Sequence, residues 1–235
     1  MSDEFDLFGE TTEEEQARLN QLHDQSRSTT QTRLDSFPSD PNRRSQEDNR
    51  WIFHQLRRDR FQEPKIQPAV LSPEECQSIL KTVSDQVWTG SRHSAFATTD
   101  IPIRSHPTLH YLVPLIKTRM FPQLAEYYGF KVTDIDFRDI FLVKYDTATQ
   151  RGLEIHSDGC LFSLTLLISH PDDFEGGGTY YANMDRILYL KQGDCAHHNA
   201  HLMHSGVDIT KGTRYILVGF IDTVDTVLKD SQLKQ

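Results

Sequence analysis

Cysteine, positive charge and long apolar runs are all scarce in this sequence. Its 235 residues include three cysteines, an odd and widely spaced set that matches neither a disulfide framework nor a zinc motif. Asp and Glu outnumber Lys and Arg by 34 to 25, so no general basic surface is expected to attract nucleic acid or anionic membranes. No apolar run has the length of a membrane span, and residues 1–5 lack the features of a signal peptide. We therefore expect an intracellular protein, most simply cytoplasmic.

The first 44 residues are predicted to form an acidic, mostly disordered tail. Residues 1–50 contain twelve acidic residues, six Arg and no Lys, with few bulky apolar side chains to bury. Thr12 and Glu15 have the spacing of a capping box, which predicts a short helix to about Gln25, followed by a flexible linker. A partner-binding arm is the alternative role for this segment.

Residues 45–65 are predicted to form a helical linker that docks on the following domain through its apolar side chains. Arg57, Arg58 and Arg60 form a small basic cluster on this helix. We interpret the cluster as a solvated helix face.

Residues 66–227 are predicted to form the main domain, and 228–235 a C-terminal tail. Ser72 is a candidate cap for a helix, and a second, amphipathic helix is expected from Thr108 to Tyr128. Beyond Gly129 the pattern changes to short strands separated by turn signals, which is typical of a sandwich or jelly roll. The predicted fold class is therefore mainly β with flanking helices, built around a double-stranded β-helix. The segment between the two helices, residues 88–103, is expected to be a loop near the mouth of a cleft.

One set of residues in the second half carries metal chemistry. On an extended segment His156 and Asp158 point the same way, and His204 can join them from a neighbouring strand. Two imidazoles and one carboxylate on one side of a metal leave the opposite positions open, as in non-haem Fe(II) oxygenases. Arg214, at the start of an apolar strand, offers a planar fork suited to a carboxylate. This combination predicts a 2-oxoglutarate-dependent dioxygenase.

A zinc site and three further histidines are the alternatives to this ligand assignment. A zinc hydrolase uses the same ligand types, but that reading leaves Arg214 and Tyr145 without a role and offers no obvious Glu as general base. Further histidines lie at positions 197, 198 and 201. We interpret them as supporting or surface residues, and His201 as the one that reaches the cleft.

The sequence also resembles a known family. Asp173 to Gly178 (DFEGGG) and Gly212 to Ile216 (GTRYI) resemble the C-terminal catalytic domain of the procollagen lysyl hydroxylases, and Val70 to Cys76 (VLSPEEC) resembles the helix that opens prolyl-4-hydroxylase domains. The resemblance covers roughly residues 66–225. It implies Fe(II) bound by His156, Asp158 and His204, with 2-oxoglutarate and O2 as co-substrates and ascorbate as a further reductant.

The resemblance also implies the rest of the co-substrate pocket. Arg214 matches the residue that binds the distal carboxylate of 2-oxoglutarate, and Tyr145 matches a tyrosine that lines the pocket. Thr165 is a candidate for an additional hydroxyl there. Leu167 departs from the pattern, because many prolyl hydroxylases have a tyrosine at that position. Gly176 to Gly178 are either a plain hairpin turn or a close backbone approach beside the cleft.

The predicted function is hydroxylation of a lysyl or prolyl side chain of an intracellular protein. A free amino acid or other small molecule is the alternative substrate. A non-catalytic binding module that keeps the jelly roll is the alternative from another class. The sequence does not indicate an oligomeric state.

Overall fold

The structure is a computed structural model that describes residues 11–90, 92 and 96–233. The start of the chain and part of the predicted cleft loop, residues 91 and 93–95, lie outside the described residues. The chain divides into two compact units, residues 1–45 and 46–235.

The described part of the first unit is dominated by helix α1, Glu13–Ser36. Its start is the predicted capping box: the Glu15 N–H donates to the Thr12 hydroxyl at 3.2 Å, and the Thr12 N–H donates to the Glu15 carboxylate at 2.8 Å. The helix extends eleven residues past Gln25, so the segment predicted as flexible linker is helical as far as Ser36. Hydrogen bonds between side chains four residues apart, such as Gln31 to Asp35 at 2.7 Å, support the extension. None of its side chains is buried, and the predicted limit between tail and domain stays a prediction.

In its described residues the second unit has four α-helices and eleven strands. The helices are α2 Gln46–Arg60, α3 Pro73–Val83, α4 Leu112–Tyr128 and α5 Val224–Leu233. The strands are β1 Lys65–Gln67, β2 Asp100–Pro102, β3 Ile135–Asp146, β4 Leu153–His156, β5 Phe162–Leu167, β6 Phe174–Gly176, β7 Thr179–Tyr181, β8 Arg186–Leu188, β9 Cys195–Asn199, β10 His204–Gly206 and β11 Ile209–Thr223. The segment predicted as a C-terminal tail is therefore helical through Leu233.

The strands form two antiparallel sheets. The larger has the order β1-β9-β5-β11-β3-β2, with β6 paired to β11, and the smaller has the order β4-β10-β7-β8. Successive side chains of a strand face opposite sides of its sheet, so each sheet offers one face to the other and one face outward. The predicted sandwich of short strands is present.

The main core lies between the larger sheet and the helices. Phe53 of α2 is fully buried and meets Phe162 of β5 edge-on at 4.8 Å between ring centroids. Ile79 of α3 and Ile116 of α4 belong to the same buried cluster. Burial of such side chains, each worth about 1.5–3 kcal/mol, holds the helices on the outer face of this sheet. The inner face is left to form the cavity described below.

Local sequence signals set the helix limits. Ser72 caps α3 through a capping box with Glu75, as predicted. Helix α4 begins at Leu112 rather than Thr108, which places Pro114 in the first turn, where a missing N–H is tolerated. Pro122 lies inside α4 without ending it. Among the described helices, none is both long and apolar enough to cross a membrane.

Candidate metal and co-substrate site

The pairing of two short strands brings the predicted ligands together. Strands β4 and β10 are antiparallel, and His156 lies directly opposite His204. Asp158 follows β4 by two residues, and its N–H donates to the carbonyl of Ala200 at 2.8 Å. One donor atom from each of His156, Asp158 and His204 lies within 4.8 Å of the others. The geometry fits one metal ion held on one side.

Each imidazole is fixed by its other nitrogen. His156 Nδ1 lies 2.8 Å from the carbonyl of Glu154, and His204 Nδ1 lies 2.8 Å from the carbonyl of Leu202. A carbonyl only accepts, so Nδ1 carries the proton in both rings and Nε2 keeps its lone pair. The two Nε2 atoms lie 3.4 and 3.5 Å from the Asp158 carboxylate. Carbonyl contacts of this kind orient the histidine ligands of metal sites.

Burial and mutual attraction set the charges of this cluster. Burial works against ionisation of Asp158, but His156 and His204 hold the pKa of its carboxyl below the usual value. Burial lowers the pKa of His204. Burial also acts to lower the pKa of His156, but its contacts with Asp158 and the Glu154 carbonyl outweigh this, and the pKa is raised. The carboxylate is thus ionised and ready to bind a cation at neutral pH.

Two residues outside the predicted set support the cluster. Ser163 of β5 donates its hydroxyl to Oδ2 of Asp158. The ring of His198, fully buried on β9, meets the ring of His204 edge-on at 4.5 Å between centroids. Ser163 and His198 are direct partners across the β5–β9 ladder, so both face the cluster. The sequence signal for Ser163 was its position two residues before Thr165, on the same face of the strand.

The remaining histidines of this region face elsewhere. His197 is adjacent to His198 on β9 and therefore faces the opposite side of the sheet. It points to the helices, where its Nδ1 lies 3.1 Å from the Tyr128 hydroxyl. His201 lies on the turn after β9 and does not line the cavity between the sheets. The expectation that His201 reaches the cleft is therefore wrong, because the turn directs its side chain away from the cavity.

A cavity of about 420 Å³ opens between the two sheets from the ligand cluster. Arg214 and Tyr145 line it as direct partners on β11 and β3, with the guanidinium carbon 5.6 Å from the ring centroid. Arg214 is 3% exposed, and its buried Nη1 has no acceptor among the residues that the structure describes. Burial lowers the pKa of Arg214 and raises that of Tyr145. A desolvated guanidinium with a free donor is a strong site for a carboxylate.

The other predicted pocket residues are placed as follows. Thr165 of β5 lines the same cavity, whereas Leu167 packs in the apolar cluster beneath it. A side chain at Gly177 would come within 3.1 Å of the Arg214 side chain, and the backbone there has a φ of +73°. This favours the close-approach interpretation of the glycine run over a plain turn. Lys211 is exposed and pairs with Glu175 at 2.8 Å, so it is not positioned to replace Arg214.

An aromatic ring and an arginine that pairs with two aspartates lie at the mouth of the cavity. The ring centroid of Phe96 lies 4.8 Å from that of His156, and the two rings are tilted by 30°. Arg92 bridges Asp100 at 2.7 Å and Asp139 at 2.8 Å. Among the described residues that line the cavity, Asp158 is the one carboxylate. No separate Asp or Glu is thus available there as the general base of a zinc hydrolase.

The fold is the double-stranded β-helix found in solved structures of 2-oxoglutarate and Fe(II) oxygenases. Solved structures with this fold include a viral collagen prolyl hydroxylase from Paramecium Bursaria Chlorella virus-1, in its 2-oxoglutarate complex. It has a TM-score of 0.52 and 16% identity, and the match covers 68% of this chain and 96% of that one. A prolyl-4-hydroxylase from Pseudomonas putida matches with a TM-score of 0.51 and 12% identity, over 74% and 98% of the two chains. The predicted jelly-roll core is confirmed.

Sequence comparison leads to the hydroxylases that the motifs resemble. The chain is 28% identical over 167 residues to the multifunctional procollagen lysine hydroxylase and glycosyltransferase LH3 of Rattus norvegicus. It is 27% identical over 173 residues to procollagen-lysine,2-oxoglutarate 5-dioxygenase 2 of Homo sapiens. Each match covers 65% of this chain and, respectively, 22% and 23% of the relative, so the chain spans less than a quarter of their length. No family model matches the sequence. The predicted resemblance to the prolyl and lysyl hydroxylases is confirmed.

Proposed function

We propose that this protein is an Fe(II)- and 2-oxoglutarate-dependent hydroxylase. The observation that carries the proposal is that one cavity holds both the cluster of His156, Asp158 and His204 and the buried Arg214, whose Nη1 lacks an acceptor among the described residues. A non-catalytic module has no need to bury a guanidinium without an acceptor, which costs stability. The names of the relatives, which include a 2-oxoglutarate 5-dioxygenase, support the same activity.

One group of residues in the site would bind the metal, and another would bind the co-substrate. His156, Asp158 and His204 would hold iron, since two neutral imidazoles and one carboxylate suit Fe(II) and leave its other positions open. Arg214 would pair with the far carboxylate of 2-oxoglutarate, with Tyr145 against its guanidinium and Thr165 on the cavity wall. When bound, iron and 2-oxoglutarate supply oxygen activation and the electrons for it, as the co-substrate is decarboxylated to succinate.

The protein's own contribution is position and a dry environment. Ser163 fixes the Asp158 carboxylate, and the carbonyls of Glu154 and Leu202 fix the imidazoles. Apolar side chains from β3 and β11 form much of the cavity wall, which removes water from around the reacting atoms. Phe96 at the mouth places an aromatic surface where a substrate side chain would enter.

The substrate that we propose is a lysyl or prolyl side chain of a protein. The relatives named for procollagen lysine support the lysyl form. The apolar wall, with Asp158 as its one described carboxylate, supports a neutral group such as a prolyl ring. The test is mass spectrometry of paired peptides that carry Lys or Pro in the same context, after incubation with enzyme, Fe(II) and 2-oxoglutarate. A gain of one oxygen on one residue type supports the proposal. Modification of free amino acids, with neither peptide changed, would favour the small-molecule alternative.

We also propose an intracellular, reducing location and a dependence on ascorbate. Cys76, Cys160 and Cys195 are all buried and unpaired, which suits a reducing compartment. Burial raises the pKa of Cys76 to about 11 and that of Cys160 to about 12, so neither thiol is reactive at neutral pH. Imaging of the tagged full-length protein tests the location, and omission of ascorbate from the turnover assay tests the second requirement.

A further inference from the structure

A second pocket lies beside the C-terminal end of α2 and shares no lining residue with the cavity between the sheets. It encloses about 290 Å³. Arg57, Arg58 and Gln62 line it from the helix and the residues after it, and Asn199, His201 and Leu202 line it from the turn after β9. Arg57 and Arg58 were predicted to lie on a solvated helix face. They instead line one pocket with the side chains of Asn199 and His201, which belong to a distant segment.

Arg57, Arg58 and Asn199 present hydrogen-bond donors to this pocket, whereas the Gln62 amide N–H already donates to the Arg57 carbonyl at 2.8 Å. Arg57 Nη1 is buried and has no acceptor among the described residues. Oδ1 of Asn199 already accepts the His201 N–H at 3.2 Å, which leaves the side-chain NH2 as the free group of that residue. The described lining contains no carboxylate to balance the two guanidinium groups. A guanidinium nitrogen that is shielded from water and lacks an acceptor is unfavourable, and an anion bound in the pocket would supply that acceptor.

Stabilisation of the helix end does not explain this arrangement. Basic residues in the last turn of a helix interact favourably with its dipole, but only by about 0.3–1 kcal/mol. Arg60 obtains that benefit while fully exposed at the end of α2. Arg57 instead buries part of its guanidinium, and burial and then Arg58 lower its pKa. Burial, followed by Arg57 and Arg58, likewise lowers the pKa of His201.

We infer that this pocket binds a small oxyanion, a phosphate group being the ligand whose several oxygens match its several donors. Arg57 and Arg58 would carry the charge, and the Asn199 amide and His201 would complete the contacts. The pocket adjoins the turn that holds the metal ligands, since the Ala200 carbonyl accepts from Asp158 and the Leu202 carbonyl contacts His204. An anion in the pocket would therefore stabilise this turn from the side opposite the metal ligands.

The test is titration of inorganic phosphate into the metal-free full-length protein at low ionic strength, followed by calorimetry. Saturable binding to one site is expected. Arg57→Gln and Arg58→Gln should each weaken it by about tenfold or more, the size of one charge-assisted hydrogen bond. Arg60→Gln, which removes the same charge from the same helical turn outside the pocket, should change it by less than about twofold. Arg57→Lys should restore part of the affinity, which shows that the loss is not one of folding.

Equal weakening by all three Gln variants would overturn the inference, because it would indicate general attraction to a basic surface. Absence of saturable binding would overturn it as well. A parallel titration with a phosphoserine peptide identifies the source of the oxyanion. Tighter binding of the peptide than of inorganic phosphate supports a phosphorylated protein segment, and equal binding supports a free ion. Metal is absent throughout, so the result is independent of the proposed hydroxylase activity.

Discussion

Replacement of Arg214 by Met should have opposite effects on stability and on co-substrate binding. Met is apolar and about as long as the aliphatic part of Arg, so it fills the space beside Tyr145 without a charge. In the ligand-free protein Arg214 is 3% exposed, and its Nη1 lacks an acceptor in the described part of the chain. Its removal should therefore stabilise the ligand-free fold while it destroys the carboxylate site.

The two effects have estimable sizes. An unsatisfied buried polar group costs about 1–3 kcal/mol, and a chain of this length shifts its Tm by roughly 2–4 °C per kcal/mol. The Tm of Arg214→Met should thus rise by several degrees. A carboxylate left buried without its partner costs about 3–5 kcal/mol, which corresponds to roughly 100- to 4,000-fold weaker binding of 2-oxoglutarate. Arg214→Lys should recover part of that loss, since it restores charge without the fork.

Differential scanning calorimetry of the metal-free protein measures the first effect, and anaerobic calorimetry with Fe(II) and 2-oxoglutarate measures the second. Lys211→Met is the matched control on the same strand, because Lys211 is exposed and paired with Glu175. It should change neither quantity appreciably. If Arg214→Met keeps wild-type affinity while Lys211→Met loses it, the assignment of the carboxylate site is refuted. A fall in Tm for Arg214→Met would refute the argument that its charge is unbalanced.

Three further predictions concern the metal site and its surroundings. Substitution of Ala for His156, Asp158 or His204 should abolish Fe(II) binding in an anaerobic titration, whereas His197→Ala should retain it, and normal binding by the His204 variant would contradict the ligand assignment. Ser163→Ala removes the hydroxyl that holds Asp158 and should weaken Fe(II) by about 10- to 100-fold with the fold intact by circular dichroism; unchanged affinity would show that the hydrogen bond is not needed. Burial lowers the pKa of His197 to about 4, below the unfolded value near 6.5, so its stabilising effect is complete above about pH 6.5 and is lost as the pH falls toward 4. In urea unfolding at a series of pH values, His197→Gln should remove roughly 3 kcal/mol of this pH dependence. An unaltered pH dependence would mean that the pKa of His197 is the same in the folded and unfolded states.

The parts of the site that could be predicted from sequence are those governed by short-range periodicity. The period of two on an extended segment predicted that His156 and Asp158 point the same way, although β4 ends at His156. The resemblance supplied His204, Arg214 and Tyr145. The structure brings all five to one cavity, through the β4–β10 and β3–β11 ladders. Their roles as ligands stay predictions until the titrations above are made.

The parts that escaped prediction depend on which surfaces a segment meets. Strand β9 lies between β1 and β5 in the larger sheet, with both of its faces buried. His197 and His198 therefore look alike in sequence, although one faces the helices and the other His204. For this reason we expect His198→Ala to weaken Fe(II) binding. Arg57 and His201 line one pocket although more than 140 residues separate them in sequence, and no local pattern predicts this.

The proposed function requires that iron bound in the cavity drives the conversion of 2-oxoglutarate to succinate. The most direct measurement is succinate formation by the purified full-length protein with Fe(II), 2-oxoglutarate and O2, with Asp158→Ala as the matched variant. We predict slow succinate formation without added substrate, which requires O2 and is absent in the variant. If the wild-type protein binds iron and 2-oxoglutarate but forms no succinate, with or without peptide, the hydroxylase account is contradicted and the chain is a binding module.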